Sequence, residues 1–104
     1  MDIDYISKKL KKIFESEREL IKAFGTPQAR KITQRMSELC SAKSLHDVRC
    51  NPSARLHPLI GNYKDCLSID LIPPWHLIIK PKNGDQNNYA TITMVEIIKV
   101  TNYY

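Results

Sequence analysis

The residues best suited to chemistry lie in one ten-residue segment, residues 55–64, with the sequence RLHPLIGNYK. Histidine, here His57, can take and release a proton near neutral pH. Arginine and lysine, here Arg55 and Lys64, can neutralise a phosphate, arginine through a fork of donors and lysine as a point charge. The segment therefore fits acid–base chemistry on a phosphate ester. The alternative is a linker before a strand, with solvated basic groups and a histidine bonded to the backbone.

A second basic group follows in the C-terminal half. His76 and Lys80 fall on one face of a predicted strand, because side chains alternate along an extended chain, and Lys82 comes next. These residues form either a phosphate-binding patch or the solvent side of an edge strand. The spacing alone leaves both interpretations open.

The last three residues, Asn102, Tyr103 and Tyr104, form a third candidate group. Tyrosine rings stack on nucleobases, and their hydroxyl groups can hydrogen-bond a phosphate. The alternative is a frayed end, which is the usual fate of terminal residues.

The charge of the chain favours a polyanionic partner. The 104 residues include 16 Lys plus Arg against 11 Asp plus Glu, which gives a formal charge of +5. A run of four lysines surrounds Leu10 near the start of the chain: Lys8, Lys9, Lys11 and Lys12. This run is either a solvated helix face or an electrostatic footprint for RNA or an acidic partner.

Several enzyme classes lack their motifs in this sequence. There is no P-loop, no G-x-G-x-x-G, no H-E-x-x-H and no G-x-S-x-G. The acidic residues of the second half, Asp65, Asp70, Asp85 and Glu96, sit in different segments, which argues against a glycosidase pair.

The cysteines predict neither a disulfide framework nor a zinc site. The three residues Cys40, Cys50 and Cys66 are odd in number and form no C-x-x-C pair. We therefore predict no metal and no cofactor, and a reducing cytoplasm as the location. The sequence shows no secretory signal and no apolar run long enough for a bilayer, so no membrane partner is expected.

The first half of the chain, about residues 6–48, has helical periodicity. One helix is predicted from an N-cap at Ser7 to Gly25, which suits a left-handed helix end. A second is predicted from Thr26 as N-cap with Pro27 at its first position. The apolar face of that second helix comprises Ala29, Ile32, Met36, Leu39 and Cys40. The two helices are expected to form a hairpin, followed by one short extra turn near Ser44.

The second half, about residues 53–103, has the period of strands. Residues 67–71 alternate as a half-buried strand, residues 75–80 form another, and residues 90–100 form a long β-branched strand. A short first strand at residues 3–5 is also possible. The sequence therefore predicts one α+β domain, with a helical hairpin packed on one face of a small, mostly antiparallel sheet.

These segments, taken in order, resemble the HigB branch of the RelE/ParE toxin superfamily. The similar pieces in the sheet half are RLHPLIGNYK, CLSIDL, PWHLIIKP and ITMVEIIKVTNYY; those in the helical half are SKKLKKIF, GTPQARKI and MSELCSAKSL. The resemblance implies a RelE-like fold and the activity of a type II toxin that cuts messenger RNA on the ribosome. It also implies three partners: a helix-turn-helix antitoxin of the HigA kind, the ribosome with its messenger, and operator DNA bound through the antitoxin complex.

The resemblance also assigns roles to residues. His57 stands where the family has a histidine linked to cleavage, and Tyr103 matches the tyrosine of its usual D-Y-H ending. His76 stands in place of an arginine, Asn102 in place of the aspartate and Tyr104 in place of the terminal histidine. Ile60 also replaces a residue that is commonly basic or polar.

Metal-independent RNA cleavage is the hypothesis that follows. His57 would activate the ribose 2′-OH, and positive charge would come from Arg55, Lys64 and Lys80, with Lys82 and Asn102 as further contacts. His76 would add charge only when protonated, so activity is expected to fall above about pH 7. Tyr103 and Tyr104 would position the nucleotide.

Two alternatives remain open at this point. The substituted positions would also suit a toxin-fold binding module that holds its antitoxin without cutting RNA. A gyrase-directed toxin of the ParE type is the third possibility, and the segment around His57 favours the RNA-cleaving branch over it.

Overall fold

The N-terminal half forms one strand and four helices. In the computed structural model, which describes residues 1–102, strand β1 spans Asp2–Tyr5. The helices are α1 at Lys8–Phe14, α2 at Glu17–Phe24, α3 at Thr26–Ser41 and α4 at Leu45–Arg49. The predicted short first strand and the short extra turn are therefore both present.

Two of the predicted helix boundaries are confirmed. Ser7 is the N-cap of α1, and its Oγ accepts a hydrogen bond from the Leu10 N–H at 3.1 Å. Gly25 ends α2 with a φ of 82°, a conformation that residues with a Cβ rarely adopt. The side chain of Ser7 and the backbone freedom of Gly25 thus set these two positions, as the sequence predicts.

The prediction of one continuous helix from Ser7 to Gly25 is wrong. The helix stops at Phe14, and Ser16 starts a new one because its Oγ accepts a hydrogen bond from the Glu19 N–H at 3.2 Å. A serine that bonds to nearby backbone in this way competes with helix continuation. The apolar period continues across the break, which hides it from a periodicity analysis.

The start and the apolar face of α3 also differ from prediction. Gly25, not Thr26, occupies the N-cap position, no side chain caps the helix, and Thr26 is its first residue. Ala29, Ile32 and Leu39 are buried and Met36 is partly buried, whereas Cys40 is exposed because it lies at the margin of the buried face.

The C-terminal half supplies four more strands. These are β2 at His57–Pro58, β3 at Leu67–Asp70, β4 at His76–Pro81 and β5 at Met94–Thr101. The five strands form one sheet in the order β1-β5-β4-β3-β2; β1 runs parallel to β5, and the other neighbours are antiparallel. The α+β class with a mostly antiparallel sheet is therefore confirmed.

The long third strand is shorter than predicted at its start. Residues Tyr89–Thr91 form a 3-10 turn, because the Asn88 side chain accepts from the Ala90 N–H at 3.2 Å and holds the chain in a turn. The Pro73–Pro74 peptide bond is cis and lies in the connection between β3 and β4.

The helices cover one face of the sheet, and the main core lies between them. Its fully buried side chains include Ile32, Leu39 and Leu45 from the helices, and Leu67, Ile69, Leu77, Ile79, Val95 and Ile97 from the strands. Within residues 1–102, no helix combines the length and apolarity needed to cross a bilayer.

The opposite face of the sheet, here called the outer face, has a smaller apolar cluster. It comprises Leu59, Cys66 and Ile78, with Tyr63 and Ile98 packed against them. Tyr63 belongs to the 3-10 turn Gly61–Tyr63 between β2 and β3, which covers one end of the outer face. The remaining end carries polar side chains.

A β-bulge in β5 sets which of its side chains reach the outer face. Ile78 pairs with Lys99 while the next residue, Ile79, pairs with Ile97, so Ile98 is the extra residue. Such a bulge shifts the alternation of side chains by one. Val100 consequently packs on the main core, and Lys99 lies on the outer face opposite Ile78.

Candidate functional site

A row of four side chains crosses the outer face. His57 of β2 pairs with Ser68 of β3, Ser68 pairs with Ile78 of β4, and Ile78 pairs with Lys99 of β5. Residues directly opposite in neighbouring strands lie on the same face of a sheet. Two basic groups therefore flank a serine and an isoleucine.

A second row lies beside the first, two residues further along β3. Asp70 of β3 pairs with His76 of β4, which pairs with Thr101 of β5. His76 Nδ1 is 3.3 Å from Asp70 Oδ1, and the His76 side chain is only 14% exposed. This row brings a carboxylate and a second imidazole beside the first row.

Arg55 extends the second row beyond β2. Its Nε donates to Asp70 Oδ2 at 2.8 Å and its Nη2 donates to Asp70 Oδ1 at 3.3 Å, although the Arg55 side chain is 61% exposed. Arg55 has a φ of 46°, in the left-handed region that residues other than glycine seldom occupy. The turn therefore holds an exposed guanidinium against the single carboxylate of the cluster.

His57 is oriented by the backbone of the same turn. Its Nδ1 lies 2.9 Å from the carbonyl oxygen of Arg55. A carbonyl oxygen can only accept, so this contact places the hydrogen of a neutral imidazole on Nδ1. The lone pair is then on Nε2, which is the arrangement that a general base requires.

Asp70 is held in its ionised form. Burial alone would raise its pKa, but the hydrogen bond and charge of Arg55, together with His76, outweigh burial and lower the pKa below its usual value. The site therefore contains a carboxylate that orients the Arg55 guanidinium and the His76 imidazole.

Ser68 is the fully buried member of the first row. It is 0% exposed, and its Oγ has no hydrogen-bond partner within residues 1–102. This differs from the predicted strand, in which Ser68 would face water: residues on both neighbouring strands cover it. A buried hydroxyl without a partner is uncommon, because leaving its hydrogen bond unmade costs free energy.

The 3-10 turn provides a wall at the covered end. Lys99 Nζ lies 4.8 Å from the centre of the Tyr63 ring, within the range of a cation–π interaction. The pair fixes the position of Lys99 beside Ile78. An ammonium group is thus held at the border of the polar area.

Helix α3 supports the site from the opposite side of the sheet. Arg35 is buried, and it donates from Nε to the Asp70 carbonyl and from Nη2 to the Ser53 carbonyl, each at 2.7 Å. Its Nη1 also donates to Glu38 at 2.9 Å. One side chain therefore joins the end of β3 to the loop that precedes Arg55.

The predicted site residues do not all lie together. His57, His76 and Arg55 share the polar end of the outer face through Ser68 and Asp70. Lys80 is on the same face but opposite Glu96, at the covered end, and Lys64 is exposed just after the 3-10 turn.

The remaining predicted residues are at the margins or beyond. Lys82 follows β4, six residues from His76 or about 20 Å along a strand, so it lies away from the polar end. Asn102 is exposed next to Thr101, which pairs with His76. Tyr103 and Tyr104 lie outside the described residues.

Sequence reasoning missed several residues of this site. Asp70 was considered only as an isolated carboxylate, and Ser68 and Lys99 were not singled out. Their roles depend on strand register, which no local motif encodes. The doublet Ile97–Ile98 ahead of Lys99 is the one local signal, since it interrupts the alternation of β5.

The described residues offer neither a metal site nor a reactive thiol at the outer face. No group of three His, Cys, Asp or Glu side chains within residues 1–102 is arranged to hold a metal ion. Burial raises the pKa of the Cys66 thiol, and the nearby charge of Lys80 does not reverse this effect. Its sulfur therefore stays protonated and is a poor nucleophile at neutral pH.

Comparison with known proteins adds no relative. The sequence matches no protein-family model and no curated protein.

Proposed function

We propose that the polar end of the outer face cleaves RNA, and that the protein is a type II toxin with a RelE-like fold that acts on ribosome-bound messenger. The observation that carries this proposal is the orientation of His57. Its Nδ1 faces the Arg55 carbonyl at 2.9 Å, which leaves Nε2 as the proton acceptor. Cationic side chains on both sides suit the charge of a phosphodiester.

The cleavage step needs only groups of the chain and the substrate. His57 Nε2 takes the proton of a ribose 2′-OH, the 2′-oxygen attacks the adjacent phosphorus, and the bond to the 5′-oxygen breaks. The products are a 2′,3′-cyclic phosphate and a 5′-hydroxyl end. Arg55 stabilises the charge that develops on phosphorus, and protonated His76 serves the same purpose or supplies the proton of the leaving oxygen. Lys99, three strands from His57, holds a neighbouring phosphate of the substrate.

The partners follow from the same proposal. A helix-turn-helix antitoxin would neutralise the toxin, and the complex of the two would bind operator DNA. Tyr103 and Tyr104 would position the target nucleotide. Asn102, which follows Thr101 of the Thr101–His76 pair, would be a further contact.

One observation favours a second candidate, a binding module without cleavage. The guanidinium of Arg55 is already paired with Asp70 at 2.8 Å, so part of its charge is neutralised before any substrate arrives. A site weakened in this way would still fit a toxin fold that binds its antitoxin and does no chemistry.

Cleavage of messenger in a translating extract tests the proposal. We expect His57→Ala to lower the cleavage rate by about 100-fold to 10,000-fold, the usual loss when a general base is removed. His46→Ala is the matched control, because His46 is exposed on α4, away from the outer face. Retention of full activity by His57→Ala would exclude the assigned base. Intact messenger with the wild-type chain would instead support the binding module.

A further inference from the structure

The lysines of α1 share one side of the helix. At about 100° per residue, Lys8, Lys11 and Lys12 fall within an arc of about 100°, and Lys9 widens it to about 160°. Leu10, Ile13 and Phe14 point to the other side and pack on the main core. We call the side formed by Lys8, Lys9, Lys11 and Lys12 the lysine face.

The lysine face is solvated, and its charge is only partly offset by Glu15, the exposed C-cap residue of α1 on the same side of the helix. All four lysines are exposed. Within residues 1–102, none of them forms an ion pair, and α1 has no acidic residue in its first turn. Lys11 and Lys12 are in the last turn, where positive charge suits the helix dipole, but Lys8 and Lys9 are in the first turn, where it does not. Helix stability therefore does not explain the full set of four lysines, which also repel one another.

The lysine face lies in a different layer from the candidate site. Helix α1 packs on the main core and on β1, where Tyr5 contacts Phe14 edge to face at 5.9 Å. The candidate site is on the outer face of the sheet. A partner at the lysine face therefore leaves the polar end of the outer face open.

We propose that the lysine face binds the phosphate backbone of double-stranded RNA. The choice of RNA over DNA rests on the function proposed above, in which the substrate strand is part of a larger RNA assembly. The charge complementarity between lysines and phosphates does not depend on that function. The molecule would then engage RNA on two sides, a single strand at the outer face and a duplex at α1.

The composition of the lysine face favours a duplex backbone over an acidic protein. Protein interfaces are depleted of lysine and enriched in aromatic residues and arginine, and α1 contributes neither type to its exposed side. A single strand would be gripped by stacking on aromatic rings, which the lysine face also lacks. Point charges without stacking groups suit phosphates on a regular helix.

The dimensions agree with this assignment. Lys8 and Lys12 are separated by a rise of about 6 Å. A nucleic-acid duplex carries a charge about every 1.7 Å of its axis, so several phosphates lie within reach of the four ammonium groups. Each phosphate neutralised by a lysine contributes about 0.9 to the slope of log affinity against log salt concentration.

The test is a salt titration of binding to a labelled RNA duplex, followed by fluorescence anisotropy. We expect the double variant Lys8→Gln, Lys12→Gln to lower the salt slope by about 2 and to weaken binding at least about tenfold at low salt. The matched control is Lys31→Gln, Lys43→Gln, which removes the same charge from other elements and should leave the slope unchanged. Circular dichroism confirms that each variant is folded.

Three results would overturn the proposal. The first is an equal loss of RNA affinity in the two double variants. The second is tighter binding to a DNA duplex than to an RNA duplex of the same length. The third is tighter binding to polyglutamate than to RNA. Binding is measured without cleavage, so His57→Ala should bind the duplex as the wild type does. If His57→Ala still cleaves RNA, the assignment of His57 as the base is wrong, but duplex binding by the lysine face is unaffected. If Lys8→Gln, Lys12→Gln cleaves RNA normally and binds the duplex as tightly as the wild type does, only the proposal of duplex binding is wrong.

Discussion

Asp70 is the residue on which most interactions of the outer face converge. Its carboxylate accepts two hydrogen bonds from Arg55 and lies 3.3 Å from His76, while its carbonyl accepts from Arg35. The side chain thus positions Arg55 and His76, and the backbone ties the end of β3 to α3. Removing the carboxylate should release both side chains without disturbing the backbone contact.

Substituting Asp70→Asn should change the acid stability of the protein. Arg55 and His76 lower the folded-state pKa of Asp70 against the opposing effect of burial. A carboxylate whose pKa is lower in the folded chain contributes stability above its unfolded value, near pH 4, and that stability is lost as the pH falls through the folded-state pKa. We expect the variant to lose about 1–2 kcal/mol at neutral pH.

Urea titrations at a series of pH values measure this effect. The difference in free energy of unfolding between wild type and Asp70→Asn should be constant at neutral pH and shrink below about pH 4. Glu38, whose pKa is also lowered by Arg35 and Gln34 despite burial, responds to acid in both proteins and cancels in the comparison. A difference that persists unchanged at low pH would contradict the ion-pair explanation.

Among the elements, α3 does most to position the site. Arg35 holds the carbonyls of Ser53 and Asp70, and the amide of Gln28 forms two hydrogen bonds with the backbone of Ile72, at 2.9 and 3.2 Å. The helix therefore fixes the chain on both sides of Arg55 and His57 and at the start of the β3–β4 connection.

Loss of Arg35 should destabilise the fold. Arg35→Ala leaves two backbone carbonyls and Glu38 without their partner, and we expect a loss of about 3–5 kcal/mol in the free energy of unfolding. Arg30→Ala, at an exposed position of the same helix, should change it by no more than about 0.5 kcal/mol. Thermal and urea denaturation compare the two. Equal stability of both variants would show that the buried network contributes little.

The elements also show how far the sequence determines the fold. Most strands and helices can be placed from the period of the apolar residues, which is two in strands and 3.6 in helices. The helix boundaries at Ser7 and Gly25 follow from the residue types there. The break at Ser16 was not predictable, because a serine inside an apolar period is equally compatible with a solvated helix position. The hydrogen bonds from Arg35 to two backbone carbonyls were not predictable either, since these partners are 18 and 35 residues away in the chain.

At the scale of the whole molecule, β4 is the most protected strand. It lies between β3 and β5, and Leu77, Ile78 and Ile79 are 0% exposed although they face opposite sides of the sheet. The edge strands β1 and β2 have a neighbour on one side only. The stability of the molecule should therefore decrease from the middle of the sheet to its edges.

Native-state hydrogen exchange tests this order. Amides of Leu77, Ile78 and Ile79 should exchange only through global unfolding, whereas β1 should open locally and exchange faster. The dependence of each amide's exchange rate on denaturant concentration distinguishes global unfolding from local opening. Exchange of β4 through local opening would contradict the order.

Only part of the candidate site is predictable from the sequence, because the rest depends on how the whole sheet is paired. His57, Arg55 and His76 carry recognisable chemistry, so residue type alone singled them out. Lys99 and Ser68 join them only through strand register and the bulge, which depend on how all five strands pair. Strict alternation of side chains from Ile97 would have assigned Lys99 to the face of the sheet that the helices cover.

The same bulge determines where β5 can lose a residue. Loops can gain or lose codons with little effect on the strands they join. Loss of the single codon for Ile98 would remove only the extra residue, because Lys99 would still lie opposite Ile78 and Val100 would still pack on the main core. Loss of a codon elsewhere in β5 has no such escape, so natural variants of this protein that shorten this strand should lack the residue at that position.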